Sequence, residues 1–285
     1  MPYIKVGEEN SGSIELYYED HGTGKPVVLI HGFPLSGTAW EKQVPVLLEA
    51  GHRVITYDRR GFGKSSQPTS GYEYDTFAGD LDKLVTKLDL HDATLVGHSM
   101  GTGEVTRYIS RYGSKRVEGA VFISTLAPFL LKTADHPVGV DRSLFEGFAK
   151  AIIEDRPAFL TQFLLQFYNF EVFKGKGVSE QAFQASWNIA ASASAKGTHD
   201  CVSTWMTDFR KDLPRIDVPS LIIHGTADRI IPFPFSAPLM HEAVSGSRLV
   251  PIENGPHSLA WTHAEIINRE LLAFLGDEEM KRSAA

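Results

Sequence analysis

Cysteine is almost missing from this 285-residue chain. The single one, Cys201, rules out an internal disulfide and fits a reducing compartment. Missing too is any run near the roughly eighteen apolar residues of a membrane span, and Met1-Pro2-Tyr3-Ile4-Lys5 has no apolar signal core. A soluble, cytoplasmic protein is expected. Basic residues are the minority: 28 Lys and Arg stand against 35 Asp and Glu, a formal charge of −7, with no basic cluster. The electrostatic footprint that nucleic acid or anionic lipid requires is therefore absent, which predicts neither nucleic-acid nor membrane partners. No internal repeat or low-complexity segment is found.

What the chain does have is Gly97-His98-Ser99-Met100-Gly101 directly after the apolar run Ala93-Thr94-Leu95-Val96. This pattern puts a serine on a sharp strand-to-helix turn, a nucleophile elbow, where a side chain at either glycine would crowd the turn. Val105, Tyr108 and Ile109 then repeat at helical spacing.

A serine hydroxyl is a poor nucleophile, so the reading requires a histidine base and a carboxylate to orient it. Both follow in order. The strand-like run Val218–His224 leads through Gly225-Thr226-Ala227 to Asp228, placing the acid just past a strand end. A further strand over 247–252 precedes Glu253-Asn254-Gly255-Pro256-His257, which puts His257 on a loop before a last helix opened by the capping box Thr262-x-x-Glu265. Asp58 is the competing strand-end acid, but it precedes the serine and neighbours Arg59 and Arg60, so it reads as an ion-pair or hydrogen-bond partner. His31, His98 and His224 occupy other strand ends or the elbow itself.

Acyl transfer also needs two backbone donors for the oxyanion. Met100 supplies one; the loop His31-Gly32-Phe33-Pro34, after the buried strand Val27–Ile30, supplies the other through the Phe33 amide. Two rival motifs fail. Cys201 and His199 lie in a helical stretch without an oxyanion loop, and Gly61-Phe62-Gly63-Lys64-Ser65 lacks the leading glycine of a phosphate loop, having Asp58 there.

Coarse periodicity predicts strands near 2–6, 13–20, 27–31, 53–57, 93–97 and 118–124, with helices over 39–50, 75–88 and 100–113. Asp75 is the expected N-cap of the second helix, whose stripe is Phe77, Leu81, Leu84, Val85 and Leu88. Such alternation implies a mostly parallel, twisted α/β sheet with helices on both faces. No strand is evident from about 127 to 213, where aromatics such as Phe145, Phe159, Trp187 and Trp205 sit in helical contexts. The expected organisation is a core of residues 1–126 and 214–276, a helical cap over 127–213, and a charged tail over 277–285.

Elbow, acid, base and oxyanion loop together resemble the α/β-hydrolase superfamily over nearly the whole chain. Four further stretches, His31–Leu35, Tyr57–Ser65, Tyr74–Asp80 and Thr207–Asp212, make it similar to the cofactor-free haloperoxidase (perhydrolase) and aryl esterase branch, related to γ-lactamases. The resemblance implies hydrolysis of small carboxylic esters through an acyl-enzyme, perhydrolysis when hydrogen peroxide replaces water, no metal or other cofactor, and frequent homo-oligomers. Carried over by position, it gives Ser99, Asp228 and His257 as catalytic, Phe33 and Met100 as oxyanion donors, and Pro34, Leu126, Phe148, Phe163, Phe167 and Ile230 as substrate-binding. Pro34 is the perhydrolase-type residue. Relatives commonly have Trp in place of Phe33, and often Gly in place of Thr102. The mostly apolar cap favours small, uncharged acyl groups and aryl leaving groups. The alternatives are lactam or amide hydrolysis on the same residues, and a noncatalytic small-molecule receptor.

Overall fold

The structure, a computed structural model, describes residues 2–126 and 128–276; the tail expected over 277–285 lies outside the described residues. Among the described residues, eight strands form one sheet: β1 (Tyr3–Glu9), β2 (Gly12–His21), β3 (Pro26–Ile30), β4 (Arg53–Tyr57), β5 (Ala93–His98), β6 (Val117–Ile123), β7 (Ser220–Gly225) and β8 (Arg248–Ile252). Their order is β1-β2-β4-β3-β5-β6-β7-β8, with β1 and β2 antiparallel to their neighbours and the remaining pairs parallel.

The central strands read as unbroken apolar runs because both faces are covered. Val28, Ile30, Leu95 and Phe122 belong to one buried cluster, while Val27, Leu29, Val96 and Val121 belong to the other, as the two-residue period demands. Helix α1 (Val44–Glu49) supplies Leu47 to the second face, and α2 (Tyr74–Lys87) and α3 (Met100–Tyr112) supply Leu81, Leu84, Val105 and Ile109 to the first. Between β6 and β7 come α4 (Arg142–Phe167), α5 (Phe170–Phe173), α6 (Glu180–Ser192) and α7 (Ala195–Thr204). The described residues end with α8 (Ala237–Ala243), α9 (Leu259–Thr262) and α10 (Ala264–Gly276). Ile267, Leu271 and Phe274 of α10 pack on the second face.

Three local expectations need correction. The helix expected over 39–50 is a 3-10 turn, Gly37–Trp40, followed separately by α1. Pro45 at the start of α1 has no N–H with which to continue a helix from residue 39. The N-cap position of α2 is Glu73, without a side-chain capping bond, and not Asp75, which lies in the first turn and pairs with Arg107 and Arg111. Thr262 closes α9 instead of opening α10; its hydroxyl donates to the Ser258 carbonyl at 3.1 Å.

Helix α4 is kinked: Asp155 leaves helical geometry at φ −156°, ψ 83°, two residues before Pro157. Asp155 then caps the second half, its carboxylate accepting from Ala158 N at 3.0 Å.

Candidate active site

The sheet order reverses about β3, which has β4 on one side and β5 on the other, opening a crevice at the carboxyl ends of β3 and β5. Both the elbow and the loop of residues 31–34 fall there. Ser99 is held at φ 53°, ψ −120°, a conformation that costs a non-glycine residue ~1–3 kcal/mol. Neighbours fix it: Ser99 N donates to Ile123 O at 2.8 Å, and the Thr102 hydroxyl donates to Ser99 O at 2.6 Å. The flanking glycines are steric necessities. A Cβ at Gly97 would meet Gly101 O at 2.6 Å, and one at Gly101 would meet Ile30 O at 2.4 Å.

Thr102 does more than pack. Its hydroxyl also accepts from Leu126 N at 3.1 Å, tying the elbow to the loop after β6.

The Ser99 hydroxyl lies 2.7 Å from His257 Nε2, and His257 Nδ1 lies 2.7 Å from Asp228 Oδ2. The tautomer that satisfies both contacts has Ser99 donating to Nε2 and Nδ1–H donating to the carboxylate. His257 comes from the loop after β8 and Asp228 from the loop after β7, so three sheet-end loops converge on one buried line. Asp228 Oδ1 accepts from the amides of Ile230 at 2.9 Å and Ile231 at 2.8 Å. Burial alone would raise this acid, but His257 beside it and the hydrogen bonds from His224 and His257 outweigh burial and hold it below the usual carboxylate range.

His224 was not foreseen as part of the site. It is fully buried, with Nε2 at 2.9 Å from Ile231 O and 3.2 Å from Asp228 Oδ2. Two acceptors face Nε2, so that nitrogen carries a proton; Nδ1 is buried without a partner. His98, at the elbow, presents Nε2 to the His257 carbonyl at 2.9 Å, and Ser124 Oγ donates to the same carbonyl at 3.0 Å. Burial and then the adjacent His257 lower His98 to about 3, so it is a neutral donor.

The Phe33–Pro34 peptide is cis, and Leu35 N bonds Gly32 O at 3.1 Å, a turn that leaves the Phe33 amide outside its hydrogen bond. Met100 N opens α3, where the first amides have no carbonyl within the helix to bond. Behind the loop, Arg59 N donates to His31 Nε2 at 3.0 Å and Arg59 Nη2 donates to His31 O at 2.8 Å. Arg59 is itself paired with buried Glu104 of α3 at 2.8 Å. One buried ion pair thus links the loop of residues 31–34 to α3, whose first amide is that of Met100.

Asp58 behaves as a hydrogen-bond partner and not as an acid facing Ser99: its carboxylate accepts from Gly37 N and Lys64 N, each at 2.7 Å. Arg60 pairs with Asp80 instead. Cys201 is buried, its thiol pushed up to about 12 by burial.

A cavity of about 550 Å³ opens over Ser99. Of the residues expected to bind substrate, Phe33, Leu126, Phe148, Phe163 and Ile230 line it, and Phe167 and Pro34 are not among the lining residues. Phe167 instead packs edge-on against His257 and His98, with ring centroids 5.2 Å and 5.8 Å away. Trp205, at the end of α7, was missed as a wall of the site; it sits 5.0 Å from the Phe33 ring and stacks on Phe163. Among the described residues, no group of three or more His, Cys, Asp or Glu side chains is arranged to hold a metal, and no helix is long and apolar enough to cross a membrane.

A serine hydroxyl against an imidazole, with a carboxylate behind that imidazole, can activate an oxygen nucleophile. Comparison with known proteins agrees with that capacity. A relative from Synechocystis sp., provisionally named a non-heme chloroperoxidase, is 62% identical over 96% of this chain and 100% of its own length. A bifunctional esterase/perhydrolase of Acinetobacter calcoaceticus is 35% identical over 92% of this chain and 96% of its own. The crystal structure of a bromoperoxidase from Bacillus anthracis superposes with a TM-score of 0.92 at 53% identity, covering 96% of this chain and 99% of that one. Residues 25–264 match the family described as the alpha/beta hydrolase fold, and with that sheet, that elbow and these relatives the chain belongs to the α/β-hydrolase family.

Proposed function

We propose that the chain is a serine hydrolase of small carboxylic esters, aryl esters among them, that forms peracids when hydrogen peroxide is present. The reading is carried by the continuous contact Ser99–His257–Asp228, 2.7 Å at each step. His257 takes the Ser99 proton as Oγ attacks the ester carbonyl, and the Phe33 and Met100 amides hold the oxyanion. Collapse expels the alcohol with the proton from His257, leaving an acyl-serine. Water then attacks with His257 as base and releases the acid. Hydrogen peroxide attacks in the same way and releases the peracid, the proton returning to Ser99. Residues 127–213 act as the cap over this site. The relatives named for haloperoxidase and esterase/perhydrolase activity support the same reading.

Two measurements test it directly. Phenyl acetate should be turned over many times per enzyme molecule, a result a receptor would not give, and added peroxide should divert product from acetate to peracetate. Pro34→Leu should lower the ratio of peracid to acid severalfold while leaving acylation largely intact. The proline ring fixes φ and restricts Phe33, and so sets where the loop carbonyls point toward peroxide's second hydroxyl. An unchanged ratio, measured on one acyl donor across peroxide concentrations, would show that Pro34 does not select the nucleophile.

His224 is a positioning residue in this scheme, because its Nε2–H is shared between Ile231 O and the Asp228 carboxylate. A hydrogen bond to a charged group is worth ~1.5–3 kcal/mol, so His224→Phe should lower kcat by about tenfold or more with KM little changed. His224→Gln, which keeps an N–H donor, should recover much of the loss. Equal losses in both variants would mean that His224 only fills space.

A further inference from the structure

The cavity over Ser99 is far larger than an acetyl group requires, and its polar groups are segregated. Its volume of about 550 Å³ is that of a site for a drug-sized ligand, and its inner walls are hydrocarbon and aromatic rings, including Phe148, Phe163 and Trp205. Among the described lining residues, Glu154, Asp155, Gln162, Gln166 and Arg229 carry the amides and charges, and all five are exposed at the rim. Inside, Ser99 and Trp205 are the described lining residues that carry a polar side-chain atom.

That segregation constrains a substrate. A second polar group placed beside the ester would lose its hydration without gaining a partner, whereas one at the far end would reach the rim. The rim discriminates by charge as well. Among the described lining residues its one cation, Arg229, is paired with Glu171; the two carboxylates, Glu154 paired with Lys150 and Asp155 accepting from Ala158 N, border the kink of α4 and leave the rim lining one acid in excess. Gln162 and Gln166, one turn apart on α4, offer neutral donors and acceptors.

We propose, resting on the serine-hydrolase reading, that the substrate class is a neutral ester with a bulky hydrocarbon body, whose only other polar group is uncharged and distal. Small aryl esters are then competent but underfilled substrates. The body lies on the acyl or the alcohol side of the ester, and the two arms of the test separate these.

In the acyl arm, kcat/KM is measured for the p-nitrophenyl esters of acetate, hexanoate, hydroxyhexanoate and monoadipate. In the alcohol arm, naphthyl acetate is compared with phenyl acetate. A fully buried methylene is worth about fourfold, so at least one arm should gain about tenfold or more from the larger group. If the acyl arm gains, hydroxyhexanoate should stay within about threefold of hexanoate, and monoadipate should fall about tenfold below it. Ala151→Trp, at a small residue of the wall, should cut the ratio of large to small substrate about tenfold. Flat or falling kcat/KM in both arms, or monoadipate turned over as well as hexanoate, would overturn the substrate class. Every series is repeated with Ser99→Ala. If the acetate activity survives that change, or if no ester is turned over, the hydrolase reading itself fails; a Ser99-dependent activity without size preference sinks only the substrate class.

Discussion

Ser99→Ala is expected to lower kcat on an aryl ester by about 10⁵-fold or more, and adding His257→Ala to it should cost almost nothing further. The non-additivity follows from the geometry. The Ser99 hydroxyl and His257 Nε2 are 2.7 Å apart, and the imidazole has no proton to take once the hydroxyl is gone. What remains in either variant is the Phe33 and Met100 amides and the cavity, which do not depend on these two side chains. Losses that multiply would mean that the two residues act separately, and the relay would have to be abandoned. Melting curves on both variants distinguish lost chemistry from lost fold.

The second large effect belongs to Asp228→Asn, with an expected drop of about 10⁴-fold in kcat. The surroundings leave an amide nowhere to put its NH₂. At the Oδ2 position it would face two imidazole nitrogens, His257 Nδ1 at 2.7 Å and His224 Nε2 at 3.2 Å, both of which donate to the carboxylate. At the Oδ1 position it would face the Ile230 and Ile231 amides. Relief comes by turning His257 to the tautomer that protonates Nε2, which then cannot accept from Ser99. Some stability is lost as well, since a buried donor facing donors costs ~1–3 kcal/mol. If Asp58→Asn lost the activity and Asp228→Asn kept it, the acid would have been misassigned.

Much of this site is legible in the sequence because its demands are local. Gly97 and Gly101 are read as steric necessities from five residues, and the two backbone approaches of 2.6 Å and 2.4 Å are the physical reason. Asp228 and His257 are legible for a related reason, since each follows a strand closely and the parallel sheet brings all such ends to one edge. His224 was not legible: its role depends on the turn of residues 225–231 folding Asp228 and Ile231 back over the end of β7. Trp205 was not legible as a wall either, because only the docking of α7 beside α4 carries it to Phe33 and Phe163. Phe167 failed in the opposite direction. It continues the four-residue stripe of Phe159 and Phe163, yet it lies at the end of α4, where it covers His257 rather than the cavity. The cap errors at Asp75 and Thr262 have one form: a residue type suited to capping sits one or two positions from the N-cap of the helix it was expected to open.

The central claim is a covalent acyl-serine on the path of turnover, and peptide mass spectrometry on enzyme quenched during steady-state hydrolysis of a p-nitrophenyl ester tests it most directly. The peptide containing Ser99 should carry the mass of the acyl group while substrate lasts, lose it once substrate is exhausted, and never acquire it in Ser99→Ala. Sustained turnover with Ser99 unmodified, or with the acyl group on another residue such as Cys201, would contradict the mechanism.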